Sequence, residues 1–312
     1  MDKPEKNIDV LIIGSGPAGL TAGIYASKFK LSTLILEDEI VGGQIRDAYT
    51  IENWPGFMKI SGTEFVEKMN AQVIASGALL DEFDRIISVK LTDDERLVET
   101  ESTLYHAKVV IIAAGAKRRE LPIPEEKKFH GNGIHYCELC DGHIYDGKEI
   151  AVVGGGNSAL LAVKFLSKYA KKITIIQQFD YFQAETKIQD EVFANPKVEI
   201  LWNSEVRHAA GEEKLTKIII ENVKTRQTSN LNLDGVFVYV GLIPRTDLYK
   251  DYITLDKYGY ILAGETTETN VKGVLAAGDV RGKLFRQVTT AAGDGTVAAL
   301  MAEKFINSTG KG

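Results

Sequence analysis

The sequence predicts an α/β chain of two Rossmann-like dinucleotide-binding domains, the second inserted in the first, and three observations carry that prediction. An apolar strand, Asp9-Val-Leu-Ile-Ile13, runs directly into Gly14-Ser-Gly16-Pro-Ala-Gly19, then a helical run over Leu20–Phe29 and a second strand over Ser32–Glu37. The same order recurs about 140 residues later as Glu149-Ile-Ala-Val-Val153, Gly154-Gly-Gly156-Asn-Ser-Ala159, a helical run over Leu160–Tyr169 and a strand over Ile173–Ile176. After the second unit come a small-residue strand, Gly273-Val-Leu-Ala-Ala-Gly-Asp279, and a helix over Thr289–Ile306, with no further repeat. That tail is assigned back to the first unit. The expected boundaries are 1–116 and 244–312 for the first domain and 117–243 for the insertion, marked by Lys117-Arg-Arg-Glu-Leu-Pro-Ile-Pro124 and Gly241-Leu-Ile-Pro-Arg-Thr246.

Composition narrows the function classes. A net charge of −6 with both signs scattered argues against nucleic acid or an anionic membrane as the main partner. The longest uncharged run, Val10–Ser27, is broken by four glycines and a proline, so it reads as strand, turn and helix and not as a membrane span. The start, Met-Asp-Lys-Pro-Glu-Lys, lacks the pattern of a secretory leader, and a cytoplasmic location is the expectation. Only two cysteines are present, Cys137 and Cys140. They are too few for a disulfide scaffold and lack two further ligands for zinc, so no metal site is expected and a redox pair is the leading reading.

In the first unit Gly14 permits the tight turn, Gly16 lets backbone approach a pyrophosphate, and Gly19 allows close packing of helix on strand. Glu37, 23 residues beyond Gly14, is placed to accept from ribose hydroxyls. Together with Gly42-Gly43-Gln44, Glu52-Asn53-Trp54-Pro55-Gly56, Cys137-Glu-Leu-Cys140-Asp141-Gly142, Gly273–Asp279 and Arg286-Gln287-Val288, this pattern resembles the low-molecular-weight thioredoxin reductases over roughly residues 8–306. The resemblance implies a class II pyridine nucleotide-disulfide oxidoreductase-like fold, FAD in the first domain and a homodimer. By motif position it puts Gly43, Gln44 and Asn53 near the flavin, Asp279 at the ribityl chain and Arg286, Gln287 and Val288 at the isoalloxazine edge. Ser15, Pro17, Ala18, Ala114, Gly115 and Gly278 join the cofactor-binding set on the same ground. A helix starting near Thr289 would point its positive end at that edge, favouring an anionic reduced flavin. Trp54 reads as packing.

A Cys-x-x-Cys pair is compact enough for an internal disulfide, and a thiol at a helix start is made more acidic and hence nucleophilic. Glu138 stands where the family usually has a small uncharged residue, and its carboxylate should disfavour a neighbouring thiolate. Asp141 matches the family's acid/base residue, placed to exchange a proton with a thiol. His135 and His143 read as surface or packing residues. The resemblance further implies that the insertion swings between flavin and thioredoxin about hinges near Ala116–Arg119 and Ile243–Thr246.

The second unit keeps the turn in Gly154, Gly156 and Ala159 and loses what would recognise a nicotinamide nucleotide. An NAD site wants an acid at the end of its second strand and an NADP site wants arginine. Here the strand ends Ile176-Gln177-Gln178-Phe179, and Gln177, Gln178, Phe179 and Gln183 stand where NADPH-dependent members of the family carry His-Arg-Arg and a third arginine. Leu161 and Ala162 likewise replace the acidic residues typical of the following helix. Missing charge-assisted contacts of about 1.5–3 kcal/mol each would weaken NADPH by orders of magnitude. NADH remains open at this stage, since the glutamines could hydrogen-bond a ribose.

The resemblance therefore narrows to the ferredoxin-dependent flavin thioredoxin reductases, with reduced ferredoxin or flavodoxin as donor and thioredoxin as acceptor. Candidate basic patches for an acidic donor are Lys117-Arg118-Arg119, Lys127-Lys128, Lys168 with Lys171-Lys172, and Arg281 with Lys283. The alternatives are an NADH-dependent thioredoxin reductase and an oxygen-dependent dithiol oxidase. A redox sensor without turnover is a third, disfavoured by Asp141 beside the dithiol.

Overall fold

A computed structural model describes residues 3–48 and 51–309. The chain divides into two compact units, one formed by residues up to Lys117 together with those from Leu242 onward, the other by Arg118–Gly241. The first unit begins with β1 (Glu5–Ile13), α1 (Pro17–Lys28), β2 (Thr33–Glu37), α2 (Gly62–Ser76) and β3 (Leu79–Glu82), followed by β4 (Ile86–Leu91), β5 (Arg96–Thr100), β6 (Leu104–Ile112) and β7 (Ala116–Arg118). The second contains α3 (Glu126–Phe129), β8 (Ile134–His135), α4 (Glu138–Asp141), β9 (Glu149–Val153), α5 (Asn157–Leu166), β10 (Lys172–Ile176), α6 (Thr186–Phe193) and β11 (Val198–Leu201), then β12 (Ser204–Ala210), β13 (Lys217–Asn222), β14 (Thr228–Asn232) and β15 (Gly235–Val238). The chain returns through β16 (Leu242–Pro244), β17 (Val274–Ala276) and α7 (Val288–Thr309).

The first sheet runs β3-β2-β1-β6-β5-β4, with β17 also paired to β6. Its β3, β2, β1, β6 and β17 are parallel, and β4 and β5 form an antiparallel excursion. Alternation along the parallel strands fills two cores. Val10, Ile12, Ile35, Val109 and Ile111 face one layer, and Leu11, Ile13, Leu34, Leu36, Val110 and Ile112 the other. Burial on both faces is why these strands read as unbroken apolar runs. Trp54 packs edge-on against Phe65, with ring centroids 4.9 Å apart.

The second unit's parallel sheet has the order β11-β10-β9-β15-β8, with a separate antiparallel sheet β12-β13-β14. Within the described residues no helix is long and apolar enough to cross a membrane.

Two helices close over the first sheet where side chains are absent. A Cβ on Gly295 of α7 would lie 2.1 Å from the Ala18 carbonyl oxygen of α1. Backbone cannot yield as a flexible side chain does, so Gly295→Ala should push the helices apart. The expected cost is about 2 kcal/mol, measured as a lower urea midpoint for unfolding of the purified protein.

Candidate active site

The first glycine turn sits at the C-terminal end of β1. Gly14 has φ +101°, and a Cβ there would lie 2.5 Å from the Ala113 carbonyl oxygen. A Cβ on Gly19 would lie 1.8 Å from the Gly14 carbonyl oxygen, so α1 can rest directly on the turn only because both carbons are missing. Gly16, which caps α1 ahead of Pro17, makes no side-chain cap bond, and a Cβ on it would meet nothing within 4 Å. Uncommitted N–H groups at a helix start, beside open space, suit a pyrophosphate.

Ser15 is fully buried and donates to Glu37 Oε2 through its N–H at 2.9 Å and its hydroxyl at 2.6 Å. The Glu39 N–H donates to Oε1 at 3.1 Å. A carboxylate has about four acceptor positions, so this pattern leaves Oε1 able to take a ribose hydroxyl. Gly42 N–H reaches the Ser15 hydroxyl at 3.0 Å, and a Cβ on Gly43 would lie 3.2 Å from Gly16 Cα, which sets Gly43-Gln44 against the turn. The Gln44 amide donates to the Ala116 carbonyl, and the Asn53 amide donates to Gln287 at 3.3 Å. Ala114 and Gly115 follow β6, and Gly278 and Asp279 follow β17, so these segments leave the same edge of the sheet as Gly14 and Glu37.

Asp294 of α7 fastens that edge. Its Oδ2 accepts from the Gly278 N–H at 3.0 Å, Arg281 Nε at 2.9 Å and Lys283 Nζ at 2.8 Å. The Arg286 guanidinium lies 4.2 Å from the Tyr260 ring centroid, and its buried Nε has no hydrogen-bond partner among the described residues. A buried cationic donor left open beside Val288, where α7 starts, suits an electron-rich ring edge or a phosphate. The open turn, the unfilled acceptor on Glu37 and the unused Arg286 donor together fit FAD.

The Asp294 pairs correct one expectation. Arg281 and Lys283 are 14% and 8% exposed and committed to Asp294, so they are no docking patch. Lys171 and Lys172 are also engaged, with Glu149 at 3.1 Å and Glu199 at 2.7 Å. Lys117, Arg119 and Lys127 are exposed.

In the second unit Cys137 and Cys140 form a disulfide across 5.3 Å between Cα atoms. Cys137 precedes the single turn α4, where its Sγ accepts from the Cys140 N–H at 3.2 Å. Both side chains of interest in this turn have partners that the sequence did not reveal. The Glu138 carboxylate accepts from the Tyr239 hydroxyl, whose oxygen accepts from the Glu138 N–H at 3.1 Å. Burial, reinforced by the Glu138 charge, pushes the Tyr239 phenol far above its ordinary pKa, so it stays a donor.

Asp141 Oδ2 lies 3.2 Å from His135 Nδ1, and His135 Nε2 lies 2.7 Å from the Tyr145 hydroxyl. His135 is therefore part of a buried polar chain ending on Asp141, which corrects its reading as a mere surface or packing residue; His143 is exposed. The sequence hid this because His135 lies on a two-residue strand, β8, that pairs with the distant β15.

The second glycine turn has the same shape as the first and a different lining. Gly154 has φ +125°, and Gly156 would carry a Cβ into open space. At the end of β10 the side chain of Gln177 is 2% exposed and turned inward. Its Nε2 donates to the Tyr181 carbonyl at 2.8 Å and Gln183 Oε1 at 3.0 Å, and its Oε1 accepts from the Gln178 N–H at 3.1 Å. Both amide hydrogens are spent inside the protein, so Gln177 has no donor left for a ribose and carries no charge to offer one. Beyond it Phe179 and Tyr181 stack at 5.5 Å, and Lys224 is paired with Asp180, between them in sequence, at 2.7 Å.

Residues 8–295 match the family model described as pyridine nucleotide-disulphide oxidoreductase. A relative from Clostridium pasteurianum, the 34.2 kDa protein in rubredoxin operon, is 58% identical over 97% of this chain and 99% of its own. The crystal structure of thioredoxin reductase from Streptococcus pyogenes is 40% identical, covers 97% of this chain and 99% of its own, and superposes with a TM-score of 0.90. A ferredoxin-flavin thioredoxin reductase from Clostridium acetobutylicum is 29% identical with a TM-score of 0.53, covering 97% of this chain and 99% of its own. With a glycine cradle fitted for FAD in one unit and a Cys-x-x-Cys disulfide in the other, the chain belongs to the low-molecular-weight thioredoxin reductase family of FAD-dependent disulfide oxidoreductases.

Proposed function

We propose that this protein reduces the disulfide of a thioredoxin through FAD and the Cys137–Cys140 couple, and that its electrons arrive from a protein of the ferredoxin or flavodoxin class. The observation that carries the donor assignment is the buried, uncharged Gln177, with both amide hydrogens spent inside the protein, at the strand end where a nicotinamide nucleotide needs a carboxylate or cations. Overall likeness does not choose between donors, because the Streptococcus pyogenes relative is described simply as a thioredoxin reductase. The Clostridium acetobutylicum structure is described as a ferredoxin-flavin thioredoxin reductase, which accords with a one-electron protein donor.

The energetics permit it. A thioredoxin-like disulfide near −270 mV lies about 130 mV above plant-type ferredoxins near −400 mV, which gives about 6 kcal/mol for two electrons. Bound FAD supplies the conversion between single electrons and the pair that opens a disulfide. In this reading the turn shaped by Gly14 and Gly19 receives the pyrophosphate at Gly16, and Glu37 receives the ribose. Gln44, Asn53, Asp279 and Arg286-Gln287-Val288 surround the ribityl chain and ring. The cysteines carry the electron pair, and Asp141 exchanges the proton that accompanies a departing or attacking sulfur.

The test is anaerobic. Reduced ferredoxin should bleach the flavin absorbance, oxidised thioredoxin should restore it, and neither NADPH nor NADH at micromolar concentration should act. Rapid bleaching by either nucleotide would overturn the donor assignment. Rapid peroxide formation from a small dithiol in air, without thioredoxin reduction, would select a dithiol oxidase instead.

Glu138 generates a second expectation. A carboxylate beside the couple opposes thiolate formation and so disfavours the reduced state. Glu138→Gln should raise the couple's potential by about 10–30 mV, equivalent to a two- to tenfold change in its equilibrium with a reference dithiol. A redox titration of the isolated protein, quenched by alkylation, would measure it.

A further inference from the structure

We propose that Tyr239 is a positioning residue for the Cys137–Cys140 couple: its hydroxyl fastens Glu138, the residue after the first cysteine, by both carboxylate and backbone N–H, and so moderates the negative charge that Glu138 imposes on the sulfurs. The inference rests on the reading of the two cysteines as a working redox couple. It adds that a residue 101 positions away in sequence helps to set the potential of that couple.

The turn puts Glu138 in an unfavourable place for dithiol chemistry. α4 spans Glu138–Asp141 with Cys137 just ahead of it, so the Glu138 side chain springs from between the two sulfur-bearing residues. Thiol–disulfide exchange runs through thiolates, and a fixed negative charge nearby disfavours them. Left to itself, such a carboxylate holds the couple at a lower potential. A hydrogen-bond donor on the carboxylate draws charge away from the sulfurs and fixes where the group lies.

Tyr239 supplies that donor. It follows β15, its N–H donates to the Val153 carbonyl at 2.8 Å, and a Cβ on Gly154 would lie 2.3 Å from its carbonyl oxygen. Its backbone is therefore seated against the second glycine turn, and from there the phenol reaches α4. The O–H donates to Glu138 Oε2, and the phenol oxygen accepts from the Glu138 N–H at 3.1 Å. One hydroxyl thus closes a ring with one residue, using its single hydrogen and a lone pair. Two bonds to the same residue fix the direction of the carboxylate more firmly than either does alone.

Burial first, and then the Glu138 charge, pushes the phenol far above its ordinary pKa, so it remains a neutral donor where thiols titrate. Asp141 lies in the same turn and its charge also bears on the phenol. That charge is present in every variant below, so differences among them belong to Glu138 and Tyr239.

The potential is read in an equilibrium with a small dithiol, dithiothreitol. Two electrons and two protons pass from dithiothreitol to the protein: the dithiothreitol sulfurs join in a ring disulfide, and the Cys137–Cys140 bond opens to two thiols. Full-length flavoprotein is equilibrated anaerobically over a series of reduced to oxidised dithiothreitol ratios at mildly alkaline pH, where thiols ionise. Free thiols are then trapped by alkylation and counted, which keeps the flavin out of the readout.

Tyr239→Phe removes the hydroxyl and keeps the ring. The equilibrium should shift about two- to fivefold toward the Cys137–Cys140 disulfide, a potential lower by about 10–20 mV. Glu138→Gln moves it the other way, as above, and Tyr239→Phe added to Glu138→Gln should move it no further, because the phenol acts through the carboxylate charge. Glu138→Asp keeps the charge and withdraws it from the phenol by one methylene. It should lower the potential as Tyr239→Phe does, and it decides the matter if Tyr239→Phe does not fold.

A Tyr239→Phe or Glu138→Asp potential at or above that of the parent would overturn the proposal. So would an equal fall when Tyr239→Phe is made in the Glu138→Gln background, the mark of a merely structural effect. Folded, flavin-bound protein whose cysteines do not exchange with dithiothreitol at all would overturn the redox couple itself, and this proposal with it.

Discussion

The close approach of backbone to backbone around α1 is the constraint on which the first unit depends. A Cβ at Gly19 would lie 1.8 Å from the Gly14 carbonyl, and one at Gly295 would lie 2.1 Å from the Ala18 carbonyl. These absent carbons let α1 sit between the turn after β1 and the C-terminal helix α7. Its uncapped start is thereby held at the edge of the sheet where Glu37, Ala114-Gly115 and Gly278-Asp279 also emerge. Asp294 reinforces the arrangement from α7 by gathering Gly278, Arg281 and Lys283 onto one carboxylate oxygen. Breaking a buried charge cluster of this kind leaves unpaired charges behind, which is why it can fasten a loop.

The two glycine turns show how similar backbones acquire different capacities. At the first, Glu37 is buried and hydrogen-bonded yet keeps an acceptor position, so it is ordered without being saturated. At the second, Gln177 is ordered by spending both amide hydrogens on Tyr181 and Gln183. A buried polar group must find partners, and whichever partners it finds decide what it can still offer a ligand. The stacked Phe179 and Tyr181 continue the same change from ionic to neutral surface. The second unit thus retains its worth as a frame, since the sheet that carries Gly154 also carries β8 and hence His135 just before the dithiol.

Around the disulfide, two tyrosines and two carboxylates lie close together. Tyr239 donates to Glu138, and Tyr145, through His135, faces Asp141. Burial keeps both phenols protonated across the pH range in which thiols titrate. The acid between the cysteines and the acid after them are in different settings, one capped by a phenol and one beside an imidazole.

The sequence by itself determined the two βαβ units, their glycine turns and the dithiol, because each is encoded locally. Glycines must stand at fixed offsets from a strand end, parallel strands buried on both faces read as apolar runs, and two cysteines three apart need no tertiary information to be paired. It also showed which charged residues the second turn lacks, since a missing arginine is visible without a fold. Only the tertiary structure decided what the remaining polar side chains do. Gln177 could have faced a ribose and instead faces its own loop; Arg281 and Lys283 could have faced a partner and instead meet Asp294; His135 could have been filler and instead meets Asp141. Except for the local loop around Gln177, these outcomes depend on pairings between distant segments, such as β8 with β15 and the loop after β17 with α7. Hydrogen-bond partners are set by distance in space, and the linear order of residues does not contain that distance.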